Sequence, residues 1–244
     1  MSDFEDQWQR RFERFATRHQ ADHQVSGWSL AGLRQRVTLF ERLLDRGVLV
    51  QGGRVLELGC GAGTYVRLLG KRGHSVVGLD YSLPSLGRAA AADPGHLGHY
   101  VAGSGYALPF PSGAFDAVTC VGVLQVLAQP EVAIAEMTRV LAVRGALLIE
   151  TLNPWNPMAV VRRLSAFSQG QPTRLRYSAA GAVERTMTAH GVEPVQRIGV
   201  VLPPKSLPGF AEPLGRLGLQ QMLGLTPGVS AVAAHAFWLL GSKR

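Results

Sequence analysis

The chain has 244 residues, 46% hydrophobic and 17% charged, with a formal net charge of +8. That length and apolar content suffice for a full core in one α/β unit with additions, which excludes disordered and fibrous classes. The start, Met1-Ser2-Asp3-Phe4-Glu5, is acidic and polar rather than a basic-then-apolar leader, and no run of about 18 apolar residues occurs, so a soluble cytoplasmic protein is expected.

In chain order, Asp6 to Arg18 carries Trp8, Phe12 and Phe15 at helical spacing and reads as an amphipathic helix. A polar stretch, His19-Gln20-Ala21-Asp22-His23, leads to Trp28. His19 and His23 lie four residues apart, so on a helix they would share a face, and one could serve as a base near neutral pH. The aromatics Trp8, Phe12, Phe15 and Trp28 have a simpler alternative, docking these helices on the core.

Arg54 to Leu58 is a short apolar strand, and Tyr65-Val66-Arg67-Leu68-Leu69 opens a pattern of helical period. Between them stand Gly59, Cys60, Gly61, Ala62 and Gly63. The glycines admit positive φ and remove side chains that would hold a ligand off the backbone. The N–H groups at the start of the following helix favour a carboxylate or phosphate. The dinucleotide fingerprint G-x-G-x-x-G is not met, because Thr64 stands at its last position and the third glycine comes one place early; a P-loop is excluded, since no Gly-Lys-Ser/Thr follows.

His74 to Asp80 reads as a second strand ending in a carboxylate, about 20 residues beyond the glycine turn, where nucleotide folds place an acid on ribose hydroxyls. A helix N-cap before Ser82-Leu83-Pro84 is the alternative role for Asp80. Further on come Gly103-Ser104-Gly105-Tyr106-Ala107-Leu108-Pro109-Phe110, a strand from Phe115 to Val121, a helix from Pro130 to Leu141 and a fifth strand from Gly145 to Thr151. Asn153-Pro154-Trp155-Asn156-Pro157 then lies beyond the carboxyl end of a strand, where open sheets bind ligands, although a plain turn reads equally well. A helix from Ala179 to His190, a strand from Val192 to Leu202 and a closing strand from Ala231 to Leu240 complete the chain, with an apolar Pro-, Gly- and Leu-rich stretch at 203–228 between the last two. The two cysteines show no metal-ligand spacing; Cys60 reads as a small residue in the turn and Cys120 as core, and no metal is expected.

The run Glu57-Leu58-Gly59-Cys60-Gly61-x-Gly63, between a strand and a helix, resembles the first motif of class I S-adenosylmethionine-dependent methyltransferases, of the methyltransferase type 11 kind. The Leu108-Pro109-Phe110 loop and Phe115-Asp116-Ala117-Val118 are similar to later motifs of that family, although Ser104 replaces the acid expected there and Val126 stands where relatives carry a histidine. The resemblance covers roughly residues 50 to 155. It implies a doubly wound, mostly parallel seven-stranded sheet with a final antiparallel hairpin, and S-adenosylmethionine as cofactor with S-adenosylhomocysteine as product. The implied cofactor contacts are Glu57, Gly59, Cys60, Gly61, Gly63, Asp80 on the ribose, Tyr81 on the adenine, Ser104, Gly105 and Val121. Candidate acceptor-side residues are Trp28, Asn153, Trp155 and Tyr177, with His19 and His23 as candidate bases. The expected organisation is N-terminal lid helices at 1–46 and a core at 47–244, with a substrate-cap insertion at 152–178 and the apolar cap at 203–228.

Positive charge is concentrated after the fifth strand: residues 162–216 hold eight Lys and Arg against three Asp and Glu. This segment either attracts an acidic or phosphorylated small-molecule acceptor or an anionic membrane surface, or is a solvated arginine-rich face. Nucleic acid is disfavoured, since no stacking aromatics are interleaved. Methyl transfer to a small molecule is the expected activity; a cofactor-binding scaffold without transfer is the alternative that Ser104 and Val126 raise. A nicotinamide-dependent oxidoreductase is disfavoured by the glycine spacing.

Overall fold

The structure, a computed structural model, describes residues 3–169, 175–200, 232 and 234–244. Helices α1 (Asp3–Arg18), α2 (Asp22–Val25) and α3 (Leu30–Asp45) precede an alternating unit of β1 (Arg54–Leu58), α4 (Thr64–Lys71), β2 (Ser75–Asp80), α5 (Leu83–Ala91), β3 (His99–Ala102) and β4 (Phe115–Cys120). A short 3₁₀ turn (Leu124–Val126), α6 (Pro130–Val140), β5 (Leu141–Leu152), α7 (Pro157–Ser168), α8 (Ala180–Ala189), β6 (Val192–Val200) and β7 (Ala236–Lys243) follow.

The strands form one seven-stranded sheet in the order β3-β2-β1-β4-β5-β7-β6. Strands β1 to β5 run parallel, and β7 enters antiparallel between β5 and β6. The doubly wound α/β architecture and the closing antiparallel hairpin are therefore as expected. Strands covered by helices on both faces need apolar side chains on both, which is why Val55 to Leu58 and the last residues of β5 are buried without alternation. One face packs against Ile134 and Met137 of α6 and Met187 of α8; the other packs against Val66 and Leu69 of α4 and Phe40 of α3. Phe40 meets Tyr65 at 4.9 Å and the fully buried Trp238 at 6.0 Å, so α3 is laid on the sheet itself.

The two largest boundary differences from the sequence reading are in β5 and β7. Strand β5 begins at Leu141 rather than Gly145, because Leu141 pairs with Phe115 before a bulge carries the register on to Ala146 opposite Ala117. Arg144, with φ 63°, lies in the stretch of β5 that the bulge carries past Phe115. Strand β7 begins at Ala236, five residues later than expected. The apolar stretch at 203–228 lies outside the described residues. Among those described, no helix is long and apolar enough to cross a membrane.

Strands β1 and β4 are neighbours, and the connections from their carboxyl ends leave in opposite directions, from β1 to β2 and from β4 to β5. A crevice opens at such a switch point.

Candidate functional site

At that crevice the end of β1 turns back over β2. The amides of Gly59 and Cys60 both donate to the Leu79 carbonyl, at 2.7 and 3.1 Å, and Gly63 N–H donates to the Cys60 carbonyl at 2.8 Å. Gly59, Gly61 and Gly63 have φ of 71°, 50° and 78°, the left-handed region that only glycine enters without strain. Gly59 also has no room for a side chain: a Cβ there would sit 2.2 Å from Val123 Cγ2.

Asp80, at the end of β2, organises this turn. Its Oδ2 accepts from Gly61 N–H at 2.9 Å and its Oδ1 from Ser82 N–H at 2.9 Å. The N-cap of α5 is Ser82, whose hydroxyl accepts from Ser85 N–H, so Asp80 is not the helix cap. Burial pushes the Asp80 carboxyl up, against the hydrogen bonds from Ser82, Gly61 and Tyr81 that hold it down.

These bonds close the turn's own amides to a ligand, while the expectation of an anion concerned the N–H groups at the start of α4, which these bonds do not involve. Gly59, Cys60, Gly61 and Gly63 all use their N–H groups internally. The carboxylate beside the start of α4 is the chain's own: Asp22 Oδ2 accepts from the Thr64 hydroxyl at 2.5 Å and from Arg67 at 2.5 Å. This pair clips α2 onto α4. At the other end of the N-terminal segment, Glu5 accepts from Tyr106 Oη and from Ala128 N–H, and Arg88 Nε donates to the Ala16 carbonyl at 2.9 Å. Helices α1 and α2 are thus fastened across the crevice.

The result is a cleft of about 880 Å³, including its open mouth. Its floor is Gly59, Cys60, Gly61 and Leu79, with Asp80 and Tyr81 at the end of β2 and Gly103 and Gly105 beside them. The loop after β4 supplies Val121, Gly122, Val123 and Val126, and the N-terminal segment supplies Phe12, Ser26 and Trp28. Trp28 is held from behind by Arg36, whose guanidinium lies 4.5 Å from the ring centroid. Arg36 in turn donates to Glu150 Oε1 of β5 at 2.8 Å, and both side chains are at most 3% exposed. Tyr65, at the first turn of α4, is on the same wall with a buried hydroxyl that has no partner among the described residues.

Several expected site residues lie elsewhere. His19 lies past the end of α1, tilted against Phe15 at 6.0 Å, and His23 lies in α2, so they do not share a helical face, and neither lines the cleft. The polar residues between them break the helix. Asn153 is buried, donating Nδ2–H to the Ala234 carbonyl at 2.8 Å and accepting from Trp155 N–H, which makes it a tie between β5 and the strand hairpin. Trp155 is 67% exposed, and Tyr177 packs on the core face that holds Phe40 and Trp238. Ser104 is exposed and closes its own turn by accepting from Tyr106 N–H, while its neighbours Gly103 and Gly105 line the cleft. Gly63 lies behind the turn, where a Cβ would come within 2.9 Å of Tyr100 Oη and 3.0 Å of Ala89 Cβ.

Glu57 is also off the cleft. It is 1% exposed, accepts from the Thr119 hydroxyl through Oε2, and leaves Oε1 without a partner among the described residues. Burial raises its carboxyl to about 8, more than the Thr119 bond lowers it, so the group is largely protonated at neutral pH. Phe12 and Tyr65 were legible only as core or docking aromatics. Their sole distinguishing signal is that Tyr65 directly follows the glycine turn.

Residues 56–149 match the family model described as a methyltransferase domain. The chain is 38% identical over 105 residues to demethylmenaquinone methyltransferase of Thermus thermophilus, covering 41% of this chain and 48% of that protein. It is 31% identical over 136 residues to malonyl-[acyl-carrier protein] O-methyltransferase of Serratia marcescens, covering 52% of each. The chain thus spans about half the length of these curated relatives. Among solved structures, magnesium protoporphyrin IX methyltransferase of Synechocystis with bound S-adenosylhomocysteine shares the fold, with a TM-score of 0.63 at 15% identity over 99% of this chain and 96% of that one.

Proposed function

We propose that this chain, which carries a class I methyltransferase domain over residues 56–149, transfers a methyl group from S-adenosylmethionine to a small-molecule acceptor. The observation that carries the reading is the cleft itself: the matched segment contains the glycine turn, Asp80, Gly103, Gly105 and the loop after β4, which line one crevice.

The residues present fit the donor. A sulfonium ligand carries positive charge, so a turn whose amides are used internally and whose nearby carboxylate is Asp80 suits it better than it would suit a phosphate. Asp80 already accepts from the backbone of Gly61, Ser82 and Tyr81, and a carboxylate offers about four acceptor positions, so it retains capacity for a hydrogen bond that a ribose hydroxyl could donate. Gly59, Gly61, Gly103 and Gly105 would admit the donor close to the backbone, and Tyr81 and Leu79 would contact its base. When bound, S-adenosylmethionine supplies a methyl group already activated by its positive sulfur.

The chain's own part is then to bind, align and keep water out. Phe12, Trp28, Val121 and Val126 give the acceptor side of the cleft apolar walls, and the Asp22–Arg67 and Glu5–Tyr106 contacts hold the N-terminal helices over it. Burial pushes the Cys60 thiol and the Tyr65 hydroxyl well up, so both are neutral and act as polar wall rather than as bases. The acceptor best suited to such a cleft is apolar. The arginine-bearing segment after β5 supports an acidic or phosphorylated part on it, or peripheral contact with an anionic membrane.

Isothermal titration with S-adenosylmethionine and S-adenosylhomocysteine tests this. Binding of both at or below micromolar concentration is expected, and no binding of either up to millimolar concentration would defeat the reading.

A further inference from the structure

Helix α7 is built inside out. Val160, Val161, Leu164 and Phe167 fall at i, i+1, i+4 and i+7 and therefore form one stripe along the helix. A surface helix normally turns such a stripe to the core. Here Ala159 is the buried residue, at 4%, while Val161 is 59% exposed, Leu164 63% and Phe167 86%. Trp155, at the entry to the helix, is 67% exposed, and Met158 is 51% exposed. Other exposed apolar side chains, such as Val50 and Val195, are scattered singly, as on any protein surface.

The charge on the helix is one-sided: α7 carries Arg162 and Arg163 and no carboxylate. Both arginines are exposed. Helix α7 also follows the carboxyl end of β5, the neighbour of β4, so it stands at the same end of the sheet as the loop that walls the cleft.

We infer that α7 with Trp155 is a membrane-docking surface that lies in the headgroup region of an anionic phospholipid bilayer. An exposed apolar stripe enters the acyl boundary, arginine side chains extend to lipid phosphates, and tryptophan sits at the interface. The absence of carboxylates removes the repulsion that an anionic surface would otherwise meet. The inference rests on the membrane part of the reading above and not on methyl transfer, so its test uses neither donor nor acceptor.

The test is sedimentation of the full chain with vesicles of phosphatidylcholine alone and of phosphatidylcholine mixed with phosphatidylglycerol. Binding is expected to the mixed vesicles, weakened by salt, and little to phosphatidylcholine alone. The pair Leu164→Ser and Phe167→Ser is expected to weaken binding by about tenfold or more through lost apolar insertion. The pair Arg162→Gln and Arg163→Gln is expected to weaken it by about tenfold or more through lost charge. Both variants should melt within a few degrees of the unmodified chain, because the altered side chains are exposed. Failure of the unmodified chain to bind mixed vesicles, or equal binding by the serine variant, overturns the inference. If the serine variant instead melts much lower, the stripe is covered by the chain's own residues; if it abolishes a dimer seen in sedimentation equilibrium, a second copy covers it. Either result also overturns the inference.

Discussion

Replacing Asp80 tests whether one carboxylate both shapes the glycine turn and prepares it for a ligand. Asp80→Ala removes the acceptor of Gly61 N–H and of Ser82 N–H, each bonded at 2.9 Å, in a site where the side chain is 8% exposed. Each orphaned buried donor costs about 1–3 kcal/mol, so the two together cost about 2–6 kcal/mol. The carboxylate is itself penalised by burial, as its raised pKa shows, and removing it relieves part of that cost; the lower half of the range is therefore expected. At roughly 2–4 °C per kcal/mol for a chain of this length, the melting midpoint should fall by about 4–16 °C. Asp80→Asn keeps one acceptor and turns an amide N–H toward the other donor, so it should cost about half as much. Urea titration gives both stabilities, and isothermal titration gives the affinity for S-adenosylhomocysteine, which should fall more than tenfold in both variants. If both variants stay within about 0.5 kcal/mol of the unmodified chain, the size of an ordinary surface change, Asp80 does not organise the turn.

Three further outcomes follow from the same geometry. Glu57 has its folded pKa raised to about 8 from an ordinary 4.5, so the stability it leaves intact in acid is lost as pH rises toward 8; relative to Glu57→Gln, the unmodified chain should lose about 2–3 kcal/mol between about pH 5 and 7, and parallel pH profiles in urea titration would contradict this. Arg36→Met leaves Glu150 buried without its ion partner and should cost about 3–5 kcal/mol, most of it recovered by adding Glu150→Leu; a double variant no more stable than Arg36→Met alone would show that charge pairing is not the issue. Gly122→Ala would place a Cβ 2.2 Å from Trp28 Cζ2 at a φ of 79°, so Trp28 must move; its fluorescence, isolated by difference against Trp28→Phe, should shift, while an unchanged spectrum would mean that the loop after β4 yields instead.

The glycine-turn side of the cleft was legible in the sequence because it is local. A strand, a turn with three glycines and a helix occupy consecutive residues, and Asp80 reaches the turn because β2 pairs with β1 in parallel register. Periodicity and spacing report such arrangements directly. They do not report which partner uses a hydrogen bond. The amides of Gly59, Cys60, Gly61 and Gly63 were already bonded, to Leu79, Cys60 and Asp80, and the side chains of Thr64 and Arg67 in α4 were met by Asp22, 42 residues upstream of Thr64. Glu57 was assigned to the cofactor by motif, but strand alternation turns it into the core beside Thr119.

The opposite wall of the cleft was much less legible, because it is assembled from segments far apart in the chain. Arg36 and Glu150 are 114 residues apart, and their contact sets where Trp28 stands. His19 and His23 depended on a helix that their own polar surroundings interrupt, and Asn153 was read as a ligand although it was needed to tie β5 to the last hairpin. A polar residue near a strand end has backbone groups competing for it before any substrate arrives, and burial decides the competition. Trp155 shows the converse: it lost its place in the cleft by being exposed, and that same exposure joins it to the apolar stripe of α7. The proposed donor cleft and the proposed docking surface are therefore separate, joined through the end of β5, so changes to α7 should leave donor affinity intact.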